Sequence, residues 1–256
     1  MPKLSAGVSQ VEWNQCIFRD CMNEENGLPT LEDKSIDLAY TDPPWGVNYG
    51  KGEIYKSGKK IKKDKNIVDY NDKWNPEFHL AYFNELYRIC EKIIIVVGQW
   101  HLDFWYNVDP KPKGMLIIHT KNHVSRDSKI ATWNHFTPYL YWGKFKKKLY
   151  KNVLEVLIDW DQYKNTLIGN VIEYVIPWGF LSKEKYIHPS PKGTEIALKI
   201  MKKLEIESII DPFAGSGSYL KAASILGIKW LGYELNPIYK QDIDKRFAQK
   251  AMEEWM

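Results

Sequence analysis

Short, dense apolar runs alternate along this chain with longer stretches in which apolar residues recur at every third or fourth position. The runs predict strands over Gln15–Phe18, Ile36–Thr41, Lys92–Gly98, Gly114–Thr120, Tyr139–Gly143, Ser208–Asp211 and Lys229–Glu234. The helical period predicts a helix over Pro76–Glu91, where Phe78, Ala81, Tyr82, Leu86 and Ile89 share a face. A second is expected over Gly193–Leu204, with Lys202 and Lys203 near its C-terminus, where cations suit the helix dipole. A third covers Ser218–Leu226 and ends at Gly227, and a last one runs from Ile238 towards Trp255. Strands alternating with helices predict an α/β domain built on a mostly parallel sheet, with ligand sites at the carboxyl ends of the strands.

Two of the predicted strands close on turns with unusual chemistry. The run Ile36–Thr41 ends in Asp42-Pro43-Pro44-Trp45. Two prolines fix two φ angles and remove two backbone donors, which leaves the Asp42 and Pro43 carbonyls to point outward beside a carboxylate and a large aromatic face. A planar base with an exocyclic amine suits that arrangement: the carboxylate and a carbonyl accept its two N–H groups, and Trp45 stacks on its ring. By itself the tetrapeptide is equally well read as a stiff turn. The strand Ser208–Asp211 runs into Pro212-Phe213-Ala214-Gly215-Ser216-Gly217 and then a helix. Glycines there let the backbone approach a ligand, and the helix start offers it free N–H groups. A dinucleotide fingerprint needs a third glycine where this chain has Leu220, so a pyrophosphate is not the expected guest. Glu234 closes the next strand, about 20 positions on, where an acid usually holds a ribose diol.

Taken together, these segments resemble the S-adenosylmethionine-dependent amino-methyltransferases of DNA. The matching segments are Asp42-Pro-Pro-Trp45, Asp211-Pro-Phe-Ala-Gly-Ser-Gly217 and Gly232-Tyr-Glu-Leu-Asn-Pro237. His188-Pro-Ser-Pro-Lys192 resembles the family's His-Pro-Thr-Gln-Lys, with Pro191 for glutamine, and Phe18-Arg19-Asp20-Cys21 resembles its Gly-Asp-Cys, with Arg19 for glycine. The catalytic motif precedes the cofactor loop, as in the β class, and the resemblance spans roughly residues 14 to 240. It implies a Rossmann-like class I methyltransferase fold: a seven-stranded, mostly parallel sheet with an antiparallel edge hairpin and helices on both faces. It assigns catalysis to Asp42, Pro43, Pro44 and Trp45. Cofactor binding falls to Asp20, Cys21, Asp42, Lys192, Asp211, Phe213, Ala214, Gly215, Ser216, Gly217, Glu234, Leu235 and Asn236. Within that set Asp20 meets the adenine amine, Glu234 the ribose and Lys192 the methionine carboxylate. Lys192 also reads as an exposed lysine at a helix entry, and Asn236 as a simple turn cap.

Composition sets limits and adds a substrate surface. The chain has 256 residues, 44% of them hydrophobic, enough for a core in one domain over 1–256. Cys16, Cys21 and Cys90 form no CxxC pair and no zinc spacing, so no metal is expected and reduced thiols point to a cytoplasmic setting. No signal peptide or apolar stretch of about 20 residues is present, which predicts no membrane partner. The net charge is only +4, yet lysines cluster. Up to position 65, the stretch 46–75 carries lysine at 51, 56, 59, 60, 62, 63 and 65 against Glu53 and Asp64, with few apolar anchors, which reads as a mobile basic loop leaving the catalytic turn. Its Tyr49 and Lys51 are candidate substrate contacts; the loop also reads as a solvated surface. The run Lys144–Lys151, with Lys146 and Lys147, either grips a phosphate backbone or guards an edge strand. His135 is a candidate for holding the base, against a plain structural histidine. Residues 152–187 are left for a small target-recognition insert.

The resemblance implies methyl transfer to adenine N6 in DNA, on a flipped or single-stranded base. Cytosine N4, an RNA acceptor and a non-catalytic nucleic-acid-binding subunit are the alternatives. A C5-cytosine enzyme is excluded, because it needs a Pro-Cys nucleophile and no cysteine here follows proline. A homodimer and a partner restriction nuclease are compatible with the resemblance, and no residue points to either.

Overall fold

The computed structural model describes residues 11–46, 74–120, 136–143, 186–188 and 192–248, together with the backbone of three strands at 53–56, 59–63 and 171–174. Ten strands are described: β1 (Gln15–Ile17), β2 (Ile36–Thr41), β3 (Glu53–Lys56), β4 (Lys59–Lys63), β5 (Cys90–Val96), β6 (Gly114–Thr120), β7 (Phe136–Gly143), β8 (Val171–Tyr174), β9 (Ser208–Asp211) and β10 (Lys229–Tyr233). Among the described residues the α-helices are α1 (Pro76–Ile89), α2 (Leu102–Asn107), α3 (Thr194–Met201), α4 (Ser218–Ile225) and α5 (Lys240–Ala248).

The main sheet runs in the order β1-β10-β9-β2-β5-β7-β6-β8. Every neighbouring pair is parallel except those made by β7, which runs against both β5 and β6. The expected mostly parallel α/β sheet with its antiparallel hairpin is therefore present. The hairpin's returning strand is wedged inward, next to β5, and β8 adds an eighth strand beyond β6. That strand falls inside residues 152–187, where only an insert was expected. The hairpin β3–β4 stands apart as its own two-stranded sheet within the expected basic loop.

Alternating residues of the central strands serve two cores. Ala39, Ile93, Ile95, Ile210 and Leu231 pack with Tyr82, Phe83, Leu86 and Ile89 of α1 and Trp105 of α2. Their neighbours Leu38, Tyr40, Ile94, Val96, Ile209 and Trp230 pack with Ala197, Ile200 and Met201 of α3 and with Tyr219, Leu220 and Ala222 of α4. The period of two sends successive side chains to opposite faces, so helices cover both sides and the middle positions of the central strands are apolar on both faces. Helix α1 starts where Asn75 Oδ1 accepts from Phe78 N (3.2 Å) and Pro76 occupies a first-turn position. Its buried face includes His79 and Phe83, whereas Ala81 is exposed. The predicted stripe was thus turned by about one position.

The order of strands fixes where a ligand can sit. From β2 the chain moves through α1 to β5 on one side; from β9 it moves through α4 to β10 on the other. Between β2 and β9 the winding reverses, and the carboxyl ends of parallel strands at such a reversal border a crevice. At the opposite, amino end the pair is tied by Asp37, whose Oδ2 accepts from Glu207 N (2.6 Å) and Ser208 N (3.0 Å).

Candidate active site

The two unusual turns leave adjacent strands on the same edge of the sheet. Thr41 Oγ1, the last residue of β2, donates to Asp211 Oδ1 at the end of β9 across 2.8 Å. Asp42 follows at once, with its side chain 19% exposed and Oδ2 3.1 Å from Lys192 Nζ. The same ammonium lies 4.6 Å from the centre of the Trp45 ring. The indole of Trp45 reaches the end of β5, where Nε1 donates to the Val96 carbonyl (3.3 Å), and meets the half-exposed Trp100 edge-on at 6.2 Å. A carboxylate, a cation and an aromatic face therefore share one small space at the mouth of the crevice.

The glycine turn beside it is held from several directions. Gly215 and Gly217 both have positive φ, +52° and +76°. A Cβ on Gly215 would sit 2.9 Å from His188 Nε2, so the loop needs a glycine there for space as well as conformation. Gly215 N donates to Glu234 Oε2 (2.8 Å), and Asn236 N donates to Oε1 (2.8 Å). Asn236 Oδ1 in turn accepts from Ile238 N (3.1 Å), so this residue steadies Glu234 and caps the next turn together. Phe213 packs against Tyr82 of α1 at 4.9 Å. Leu235 is 68% exposed, although it follows a buried strand. Asp20 lies after β1, which pairs with β10; its Oδ1 accepts from Met22 N (2.9 Å). Cys21 is buried in the core, and burial pushes its thiol well above the usual range, as it does for Cys16 and Cys90. None of the three has the thiolate character that nucleophilic work requires.

Burial and crowding of acids shape the electrostatics. Asp211 is pushed up to about 8, first by burial and then by Asp42 and Glu234, against the lowering effect of its bonds from Thr41 and Phe213 N. Burial also raises Glu234, opposed by the backbone N–H groups of Asn236, Gly215 and Leu235. Tyr40, Tyr139 and Tyr219, fully buried beneath the crevice, are all raised by burial. With Asp211 held protonated, Asp42 and Glu234 are the acids left to favour a ligand that carries positive charge. Among the described residues no group of acids, histidines and cysteines could hold a metal ion.

The raised value of Asp211 has a consequence for stability. Its folded value, about 8, lies above its ordinary 3.8, so the proton is bound more tightly in the folded chain. The associated stabilisation is whole below pH 3.8 and is lost as pH rises through about 8. Asp211→Asn keeps an acceptor oxygen for Thr41 Oγ1 and Phe213 N but cannot ionise. Thermal melts between pH 4 and pH 8 are expected to show the variant gaining stability over the unaltered chain as pH rises. A difference independent of pH would contradict a buried, protonated Asp211.

Several residues of the site carry no motif. Arg246 of α5 is buried: its Nε donates to Ser216 O (2.7 Å), Nη2 to Ser216 Oγ (2.9 Å) and Nη1 to Thr194 Oγ1 (3.1 Å). One helical turn earlier, Asp242 accepts from Ile187 N (2.9 Å) and His188 N (2.7 Å). A single helix thus pins both the glycine loop and the segment leading to Lys192. Thr41, Trp100, His79 and His101 were likewise unmarked in the sequence. The only available signal was an Asp and an Arg four apart on an otherwise ordinary amphipathic helix. The structure brings Asp42, Pro43, Pro44, Trp45 and Lys192 together, and beside them Asp211, Phe213, Ala214, Gly215, Ser216, Gly217 and Glu234. Tyr49, Lys51, His135, Lys146 and Lys147 lie outside the described residues.

This architecture is the class I methyltransferase fold. The M1.HpyAVI–SAM complex superimposes with a TM-score of 0.57 at 19% identity, covering 92% of this chain and 99% of that one. The PvuII DNA methyltransferase, described as cytosine-N4-specific, gives a TM-score of 0.55 at 13% identity, with 89% and 84% covered. In sequence, the chain is 24% identical over 254 residues to the type II methyltransferase M.HpaI of Haemophilus parainfluenzae, covering 89% of this chain and 74% of that relative. No protein-family model matches the chain. No helix among the described residues is long and apolar enough to cross a membrane.

Proposed function

We propose that this chain is an S-adenosylmethionine-dependent DNA methyltransferase acting on the exocyclic N6 amine of adenine in a flipped or single-stranded base. One observation carries the reading: the Asp42-Pro-Pro-Trp45 turn and the glycine turn close neighbouring strands at the point where the sheet's winding reverses, bonded to each other through Thr41 and Asp211. Similarity in sequence to a type II methyltransferase and in fold to a SAM complex supports it. The residues fit the cofactor. Gly215 and Gly217 take the positive φ that turns the loop along the crevice, Glu234 keeps carboxylate lone-pair capacity for a diol beyond the N–H groups of Gly215, Asn236 and Leu235, and the Asp42 carboxylate suits a sulfonium. Asp20 stands ready for an adenine amine and Lys192 for a carboxylate. Bound there, the cofactor supplies an electrophilic methyl group.

The chain's own part is to make a poor nucleophile attack. An adenine N6 lone pair is delocalised into the ring. Asp42 and the Pro43 carbonyl accept hydrogen bonds from the two amine N–H groups, which draws the nitrogen towards sp³ geometry and localises the lone pair; the one proton that the methylated nitrogen must shed passes to the Asp42 carboxylate or to water. The carboxylate also stabilises the positive charge that develops on nitrogen, a stabilisation larger in the transition state than in the ground state. Trp45 replaces the stacking that the base loses when it leaves a helix. Tyr49, Lys51, His135, Lys146 and Lys147 are the candidate DNA contacts in this reading.

Lys192 connects the two halves. Its ammonium occupies the Asp42 carboxylate and the Trp45 face, the two groups a base would need. A cofactor carboxylate would draw it away and clear that place. Lys192→Gln is therefore expected to weaken cofactor binding roughly 10- to 100-fold, the worth of one charge-assisted hydrogen bond. Isothermal titration checks this; an unchanged Kd would remove Lys192 from the cofactor site.

Cytosine N4 is the second reading, favoured by the structural likeness to the PvuII enzyme. The deciding experiment incubates the chain with labelled S-adenosylmethionine and DNA or RNA, digests the polymer and identifies the methylated nucleoside by mass spectrometry. N6-methyldeoxyadenosine is expected. N4-methylcytosine would overturn the adenine assignment, and a product from RNA alone would overturn DNA. Cofactor binding without any product would mark a non-catalytic subunit.

A further inference from the structure

The geometry points to His79 and His101 as positioning residues that aim the catalytic turn by its carbonyls, a role that rests on the methyl-transfer reading above. Neither proline of the turn has an N–H, so the turn cannot be tethered through donors at Pro43 or Pro44. With both proline φ angles fixed, its direction depends mainly on the remaining ψ angles, and these are set by where the carbonyls point. Two successive carbonyls are held. His79 Nε2 lies 2.9 Å from the Pro44 carbonyl oxygen, and His101 Nε2 lies 2.8 Å from that of Trp45, which also receives Trp100 Nε1 at 3.4 Å. The peptide plane is rigid. Holding the Pro44 carbonyl therefore orients the Pro44–Trp45 peptide, the next plane after the one that carries the Pro43 carbonyl, which is assigned to the substrate amine.

The two rings are themselves locked, from two different elements. His79 is buried on the inner face of α1, and its Nδ1 lies 2.7 Å from the Asn75 carbonyl one turn back. His101 closes the short turn Gln99–His101 after β5. Trp74 lies between them, stacked on His101 at 3.4 Å with 6° between planes and tilted over His79 at 4.1 Å. Gly46, with φ +72°, passes so close that a Cβ there would lie 2.6 Å from Trp74 Cβ. The chain that leaves the catalytic turn is thus pressed against the backbone and Cβ of the residue whose indole packs on both imidazoles. A ring protonated on Nε2 donates to the Pro44 carbonyl; protonated on both nitrogens, it also donates to Asn75.

Side-chain amides separate the two contacts of His79. Glutamine places its amide nitrogen where Nε2 stood; asparagine places it where Nδ1 stood. His79→Gln, His79→Asn and His101→Phe, the last keeping a ring against Trp74, are compared with the unaltered chain for single-turnover methyl transfer, cofactor Kd and melting temperature. Misplacing a reacting group by about an ångström costs on the order of 100-fold in rate. H79N and H101F are expected to lower kcat about 10- to 100-fold, with cofactor Kd within a few-fold, while H79Q recovers most of the rate. Equal rates for H79N and H79Q, unaltered kcat in H101F, or losses that follow melting temperature alone would overturn the role. If the unaltered chain transfers no methyl group to any polymer, the methyl-transfer reading fails and takes this role with it. Normal transfer by the unaltered chain with H79N equal to H79Q overturns the positioning role alone.

Discussion

Asp42→Ala is expected to lower kcat for methyl transfer by about 100- to 1000-fold or more, the range seen when one preorganised electrostatic partner of a transition state is removed. The carboxylate is partly exposed at the mouth of the crevice and faces the Lys192 ammonium at 3.1 Å. In the proposed reaction it accepts a hydrogen bond from the amine and offsets charge that appears only as the methyl group moves. Its loss should therefore fall on kcat. Cofactor affinity should change little, because truncation also frees Lys192 from its ion pair. Single-turnover transfer of labelled methyl groups, beside a titration of cofactor binding, separates the two. Near-normal turnover in the variant would remove the carboxylate from the chemistry.

Gly215→Ala is expected to weaken cofactor binding about 100-fold, a difference of roughly 3 kcal/mol. A left-handed backbone costs an L-residue about 1–2 kcal/mol. The new methyl would also meet His188 Nε2 at 2.9 Å. His188 has little room to retreat: its backbone N–H is held by Asp242 (2.7 Å), and its ring packs on Tyr239 at 4.7 Å. The loop must move instead, which breaks the 2.8 Å bond from Gly215 N to Glu234, the acid proposed for the ribose. Calorimetric titration with the cofactor, alongside a melting curve showing that the variant is folded, tests this. Unchanged affinity would mean that the ligand does not lie along this loop.

The parts of the fold that were legible in the sequence are those where one local rule dominates. Strands β2, β6 and β9 have the bounds expected of them, because each is an apolar run cut off by a turn or charge. Strand β7 begins earlier than expected, at Phe136. Pro138 is tolerated within it because it lies one residue beyond the last pair with β5, where a missing donor costs that ladder nothing. Helix α2 was missed because six residues of mixed aromatic character carry no measurable period. The hairpin β3–β4 was missed because lysine dominates it and no apolar face alternates.

The site divides in the same way. Asp42, the glycines and Glu234 are legible because rare turn chemistry marks them locally. Arg246, Asp242 and His79 are not, because their roles come from what the fold sets opposite them. A buried histidine on the apolar face of α1 reads in sequence as a polar interruption, and it shifted the predicted face. Nor does the sequence disclose that β9, near the end of the chain, is inserted beside β2; that pairing is what brings the two turns together.

The central claim is that the two turns face one ligand across a single crevice. A crystal structure with bound S-adenosylmethionine tests it most directly. The ribose is expected on Glu234, the methionine end along Phe213–Gly217, and the sulfonium methyl facing Asp42, with room for an amine about 3–3.5 Å from the methyl carbon. A cofactor bound elsewhere, or one whose methyl points away from the Asp42-Pro-Pro-Trp45 turn, would contradict the account.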